Sequence, residues 1–470
     1  MDMGKSIFTW HRFDLAIKDI YLDLLEKDTS FGREIYKEHL RVWNGFKEPG
    51  NLEKSSFKAF ESHFIQIHED IKAGNFDWER SPVEINEDGY LINGAHRLTA
   101  SNQQGLSPVF AVKQIPNPIF YDYRYFKRKG LSDLFMDAAA LQMVRKNDDL
   151  RMIHIFPRAA GGTDELELLI QEYTDVAYHR KIKLNSTGAL RYTMELYKGE
   201  EWTGNWGNDF AGFRQKAQAC FLDKGLLSVY WVDLPDLGQA RALKEKIRDI
   251  YKIGNHSVHI NDTHEETLRL SRALLNFNSV NFLNSAKLAK DSKFSSLVEE
   301  FEKYIEVNDL DFEDYCITAS GVLSLFGLRK ANDLDYIHSN HHIISNPSKR
   351  ISSHNGYGLA LYATSYDEII FNPANHFYFG NLKVAAIDVV KDLKQKRGEP
   401  KDLTDLKLLS GVHNQSKLWK LRMGAQQSLE RGFRKLKLFL NVVLMFLLDD
   451  VLPKSFREPL RNLRKKFKKK

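Results

Sequence analysis

Cysteine is scarce: Cys220 and Cys316 are the only two in 470 residues, far apart and each among apolar neighbours. That excludes a disulfide framework and a cysteine-built zinc site, and it suits a reducing cytoplasm. A signal-type leader is missing as well, because the opening stretch MDMGKSIFTWHRFDLAIKDIY has no apolar core. The longest apolar run, Leu438 to Leu448, is broken by Asn441. Crossing a bilayer takes about 20 residues, so this run does not span one. No repeat at the roughly 20–50-residue periods of solenoids is present.

Positive charge is also scarce over most of the chain. The formal charge is +6, yet from Lys454 onward nine Lys and Arg face one acid, Glu458, which leaves the remainder near −2. The body is therefore not a basic nucleic-acid binder, and no DNA partner is expected. With 43% hydrophobic and 28% charged residues the composition is that of a folding chain. A single core rarely exceeds roughly 250–300 residues, so two to four domains are expected.

Pattern divides the chain at 147, 285 and 424. Residues 1–147 hold helical segments and a strand–turn–helix unit, with short strands at Val83–Ile85 and Tyr90–Ile92 around the turn Glu87-Asp88-Gly89. Residues 148–285 alternate strands (MIHIF, YHRKIKL, LLSVYWV, HSVHI) with helices near 164–171, 210–221, 238–251 and 265–275. Residues 286–424 open on an acidic helix and run through CITASGVLSLFGL, NDLDYIHS and YDEIIFNP, with YDEIIF read as a strand. Residues 425–470 form an amphipathic basic helix and tail. The predicted class is α/β (α+β), multidomain.

Asp333 and Asp335 flank one residue. On a strand, positions i and i+2 share a face, so the pair can grip one Mg²⁺ or Mn²⁺ together with phosphate oxygens. Ser320-Gly321 supplies a small turn twelve residues earlier. These residues resemble the nucleotidyltransferase superfamily, whose signature is a Gly-Ser or Gly-Gly step followed by Asp-x-Asp; here Val322 follows the glycine. The resemblance implies an NTP substrate, a third carboxylate (Asp367, with Asp388 in reserve) and phosphate-facing Lys394 and Arg397 in the segment KQKRGEPKDLTDLKLL, which also holds Lys401, Asp402 and Asp405.

A second site centres on His259, in the strand pattern Ser257–Ile260 ahead of a helix that begins with Glu265 and Glu266. Residues 150–275 resemble the nucleoside diphosphate kinase fold, a ferredoxin-like arrangement. MIHIFPR is similar to its opening strand, and ELYKGEEWTG with FAGFRQKAQACF to its nucleotide-facing hairpin. The resemblance implies that Arg248 binds phosphate, His256 lies near the nucleotide and His259 carries phosphate. Phe156 stands where that family has a lysine, and Asn261 where it has a serine.

A third site is Gly94-Ala95-His96-Arg97, opening a helix. Helix N-terminal amides and an arginine fork suit a phosphate. INGAHRLTA resembles the ParB/sulfiredoxin-like fold, some of whose members are small-molecule kinases. In the tail, Phe433, Leu436, Leu440, Val443, Leu444 and Leu447 recur at helical spacing beside clustered Lys and Arg, a pattern that lies on an anionic membrane surface.

Together these readings predict a cytoplasmic protein, peripheral to the inner face of the membrane. It would transfer nucleotidyl or phosphoryl groups to a phosphorylated, sugar-type or glycan acceptor, in bacterial cell-surface polysaccharide assembly. One alternative is an ATP-dependent small-molecule kinase using the amino-terminal or middle domain. Another is a non-catalytic nucleotide-sensing membrane scaffold. The oligomeric state stays open, since kinase-like units of the middle type often associate.

Overall fold

Twelve strands in three sheets order the residues described by this computed structural model: 6–48, 55–115, 119–159, 161–221, 225–288, 291–339, 346–357 and 361–412. The chain divides into two units, Met1–Asn414 and Gln415–Lys470. The second unit, which includes the expected basic tail, lies outside the described residues. Among the described residues no helix is long and apolar enough to cross a membrane. The protein is a mixed α/β, multidomain chain.

The first sheet joins β1 (Val83–Asn86), β2 (Leu91–Asn93) and β3 (Phe110–Lys113) in the order β2-β1-β3. β1 runs antiparallel to β2 and parallel to β3. Gly89 turns the β1–β2 hairpin at φ 82°, a left-handed value that glycine adopts without cost. Helix Ala95–Gln103 follows β2.

The second sheet joins β4 (Leu150–Ile155), β5 (Val176–Ile182), β6 (Leu227–Asp233) and β7 (Val258–Ile260) in the order β5-β6-β4-β7. All neighbours are antiparallel. Helix Thr163–Tyr173 carries the chain from β4 to β5, and helix Leu237–Tyr251 from β6 to β7. β4 and β5 are therefore parallel strands with β6 inserted between them.

The third sheet joins β8 (Tyr315–Thr318), β9 (Leu334–His338), β10 (Ile351–Ser353), β11 (His376–Phe379) and β12 (Leu382–Ala385) in the order β10-β9-β8-β12-β11. β9 is antiparallel to β8 and parallel to β10, and β12 is parallel to β8. The segment Tyr366–Phe371, read from sequence as a strand, is a helix. Ser365 caps it, its Oγ accepting from the Glu368 amide, and Tyr366, Ile369 and Ile370 fall on one buried face at helical spacing.

Residues on both sides of the expected boundary at 147 share one apolar core, with Phe13 and Phe126 packed in the same cluster as Leu150 and Trp231. The Tyr178 ring of β5 stacks 5.9 Å from Phe13, and its hydroxyl donates to Asp137 at 2.8 Å. Burying such side chains is worth about 1.5–3 kcal/mol each, so these two segments stabilise one another. The third sheet has its own core, in which Tyr336 of β9 lies 4.7 Å from Phe301.

Candidate functional site

A cavity of about 820 Å³ opens on the second sheet at the end of β7. His259 lies opposite His154 of β4 in register, at the edge of this cavity. Its Nε2 is 3.3 Å from Glu266 Oε1. Glu266 is held in turn: its Oε2 accepts from the Asp262 amide at 3.2 Å, and its own amide donates to Thr263, which caps helix His264–Leu274. Burial lowers the His259 pKa against the opposing pull of Glu266, which favours the neutral ring.

Cations converge on the same space. Lys198, Lys216, Lys244, Arg248 and Arg269 all line it. Lys216 Nζ donates to the Asn255 carbonyl at 2.8 Å and sits 5.4 Å above the Tyr197 ring. Burial lowers the pKa of both Lys216 and Lys244. Arg248 donates to Glu245 at 2.6 Å while lining the cavity. His256 lines it too, with its pKa lowered by partial burial. At the mouth, exposed Trp202 packs edge-on to Tyr197 at 5.2 Å. The sequence-predicted Arg248, His256 and His259 are thus brought together. Lys216 and Trp202 were not singled out, and Glu266 was named only as an acid in the first turn of the next helix, not as the partner of His259. Phe156 is buried against Phe221 and takes no part. Asn261 is buried, its amide oxygen accepting from the Met152 backbone at 2.6 Å.

Asp335 sits on β9, and Asp333 immediately precedes the strand. Leu334 between them is fully buried, whereas Asp333 is exposed and Asp335 half-buried. Asp335 lies opposite Thr318 of β8 in register. A short polar ring closes that face: Thr318 Oγ1 meets Tyr362 Oη at 3.3 Å, Tyr362 meets His354 Nδ1 at 3.3 Å, and His354 Nε2 meets Asp335 at 3.3 Å. Ser320 donates to Asp333 at 3.2 Å. Asp333 thus meets the start of helix Ser320–Leu325, while Asp335 meets His354. The bend beside them is on Ala319 (φ 50°, ψ −123°) rather than on Gly321. Gly321 is helical and tightly packed, since a Cβ there would come within 2.8 Å of Phe294 and 2.9 Å of Ile317.

The expected supporting residues lie elsewhere. Asp367 is on the helix Tyr366–Phe371, where it is buried and accepts from the Asp28 amide at 2.9 Å. Asp388 starts the helix Ile387–Arg397. Lys394 is 1% exposed and locked between Asp402 (3.1 Å) and Asp405 (2.6 Å), so no ammonium is left for a phosphate. Arg397 forks onto Asp402 at 2.9 and 2.7 Å, and Arg329 does the same on Asp405. These ion pairs join helices Ile387–Arg397 and Pro400–Ser410, and they hold Asp402 well below the usual carboxylate range. Among the described residues no group of three or more His, Cys, Asp and Glu is placed to hold a metal ion. Mg²⁺ needs only one or two carboxylates when phosphate and water fill its other positions.

At the first sheet, Gly94 caps its helix at φ 98°, with Arg97 Nη2 3.0 Å from where a Cβ would sit. Arg97 donates to Ser81 at 2.9 Å, and burial lowers its pKa. His96 Nε2 meets the Tyr36 hydroxyl at 2.9 Å, and its ring lies 4.4 Å from Phe64. Both side chains thus have protein partners at this turn.

Comparison of the chain with protein-family models, curated proteins and solved structures gave no match. The site's own chemistry therefore carries the functional reading.

Proposed function

We propose that the chain is a nucleotide-dependent transferase that takes a nucleoside triphosphate into the His259 cavity, phosphates among Lys216, Lys244 and Arg248 and the base against Trp202. The observation that carries this reading is a histidine paired with Glu266 at the edge of a cavity lined by five Lys and Arg side chains. The strand order β5-β6-β4-β7 supports it, because that split β-α-β arrangement is the ferredoxin-like one that the resemblance to nucleoside diphosphate kinases implies.

With Glu266 accepting the Nε2 proton, Nδ1 keeps its lone pair. Nδ1 attacks the γ-phosphorus in line, a P–N bond forms, and the bond to the β–γ bridging oxygen breaks, its electrons leaving with the diphosphate. The lysines and Arg248 offset charge on the departing phosphates. An acceptor hydroxyl oxygen then bonds to phosphorus, the P–N bond breaks with its electron pair returning to Nδ1, and the hydroxyl proton passes to solvent. The acceptor in this reading is phosphorylated or sugar-type, and the basic tail keeps the enzyme on an anionic membrane, as suits surface-glycan assembly.

A second reading, nucleotidyl transfer, rests on Asp333 and Asp335 flanking Leu334, the first residue of β9. Mg²⁺ held there would supply Lewis acidity toward an α-phosphate. The two readings separate by product. Full-length protein is incubated with α- and γ-labelled NTPs, Mg²⁺ and a metabolite extract. Diphosphate formation and labelled protein, both lost in His259→Asn and kept in Asp333→Asn, support the first. Pyrophosphate release lost only in Asp333→Asn replaces it with the second. Nucleotide binding with neither product discards both in favour of a non-catalytic scaffold.

A further inference from the structure

A second cavity, of about 550 Å³, is enclosed by parts of the chain that are far apart in sequence. Its walls come from helices Phe13–Asp23, Asp133–Lys146 and His264–Leu274, the turn before β8, and strands β11 and β12. At one end a single carboxylate, Glu313, is gripped by three cations: Arg145 at 2.7 Å, Arg272 at 2.8 Å and Lys383 at 2.9 Å. Tyr378 adds its hydroxyl, which receives from Arg145 at 2.7 Å and donates to Glu313 at 3.1 Å.

Three cations on one acid leave a local excess of two positive charges. The remaining wall, Lys27 and Lys146 with Asp23, Asp311 and Asp314, cancels only one of them. Asp314 is taken by Lys27 at 3.6 Å, and Asp23 shares Gln142 with Asp19. Over the whole lining five Lys and Arg face four Asp and Glu. Arg272 is buried and Arg145 half-buried, and each keeps a buried Nε–H with no protein acceptor. Concentrated buried positive charge is costly unless an anion neutralises it. Phe31, Leu141, Leu275 and Phe371 add apolar surface to the wall, the Phe371 ring lying 5.0 Å from Lys383 Nζ. The volume falls within the usual range for small-ligand sites, about 300–1,000 Å³.

We infer that this cavity is a ligand site for a small phosphate monoester, its oxyanion head set among Arg145, Arg272 and Lys383 and its organic part against the apolar wall. Arginine's planar fork suits phosphate oxygens. Glu313 is the resident competitor for the same cations. Because the ligand would touch all three parts of the chain, its binding ties them together and stabilises their packing. The site is separate from the His259 cavity and does not depend on the transferase reading.

The test uses the full-length chain in calorimetry and thermal melting at constant ionic strength, with glycerol 3-phosphate, inorganic phosphate and succinate as probes. Glycerol 3-phosphate should bind, with Kd weakened at least tenfold in Arg145→Gln and tightened at least tenfold in Glu313→Gln, where the competing carboxylate is gone. His259→Asn should leave that Kd unchanged. If Glu313→Gln lowers the melting temperature, added phosphate ester should restore it more steeply than it raises the wild type. No binding by the wild type, or binding indifferent to both Arg145→Gln and Glu313→Gln, overturns the assignment. Tighter binding of succinate than of either phosphate probe overturns the phosphate class.

Discussion

Replacing Asp19 by asparagine should make the protein more stable at pH 8 and leave it nearly unchanged at pH 4. Asp19 and Asp23 lie one turn apart on helix Phe13–Asp23, and one side chain, Gln142, donates to both at 2.7 Å. Asp19 is fully buried, its second oxygen has no hydrogen-bond partner, and Lys146 stands 3.8 Å away. Burial first, and then the charge of Asp23, raise the Asp19 pKa from 3.8 to about 7, against the pull of Lys146 and Gln142. Between those two values the folded chain keeps a proton that the unfolded chain releases. Stability therefore falls as pH rises through that window and levels off above it. At about 1.36 kcal/mol per unit, the full loss is at most about 4 kcal/mol. An amide has the same shape and no charge to bury, so Asp19→Asn should recover most of it. Unfolding entropy of about 2.1 cal/mol/K per residue over the unit ending at Asn414 converts this to about 4–5 °C. Melting curves of both proteins from pH 4 to pH 8 give the assay. A difference constant with pH, or a variant less stable at pH 8, would mean that Asp19 is an ionised partner of Lys146, and the reasoning fails.

Other outcomes follow from the same contacts. Lys394→Met removes the buried ammonium between Asp402 and Asp405, but Arg397 and Arg329 still reach those carboxylates. The cost in chemical denaturation should then be near the low end for a broken buried pair, about 3 kcal/mol. The KM for nucleotide should not change; a raised KM at unchanged stability would restore Lys394 as a phosphate ligand. Gly321→Ala drives a methyl group against Phe294 and Ile317 and should cost about 1–3 kcal/mol in the same assay. Glu266→Gln keeps the size of the side chain that orients His259 but loses its charge. Phosphoprotein formation from labelled NTP should slow by about 10²-fold, and an unchanged rate would remove Glu266 from the mechanism.

Much of the second sheet was legible in the sequence, because β4, β5, β6 and β7 are short apolar runs bounded by turn residues, and that local pattern needs no distant partner. The hairpin at Gly89 and the placement of Asp333 and Asp335 about a buried Leu334 followed from the same two-residue period. The helix at Tyr366–Phe371 was legible too, but through its cap rather than its apolar content: Ser365 and Glu368 stand at capping distance, while YDEIIF alone reads equally well as a strand.

What the sequence by itself determined, then, is the order of elements and which side chains share a face, since caps and periodicity act over a few residues. Only the tertiary structure decided what those side chains meet. Lys394 and Arg397 look the same in sequence whether they face phosphate or, as here, Asp402 and Asp405. Nor does any local pattern bring Arg145, Arg272 and Lys383 onto Glu313, or merge the first two segments into one core. Those meetings depend on how helices and sheets pack across more than a hundred residues of chain, and packing there is set by the fit of whole apolar faces.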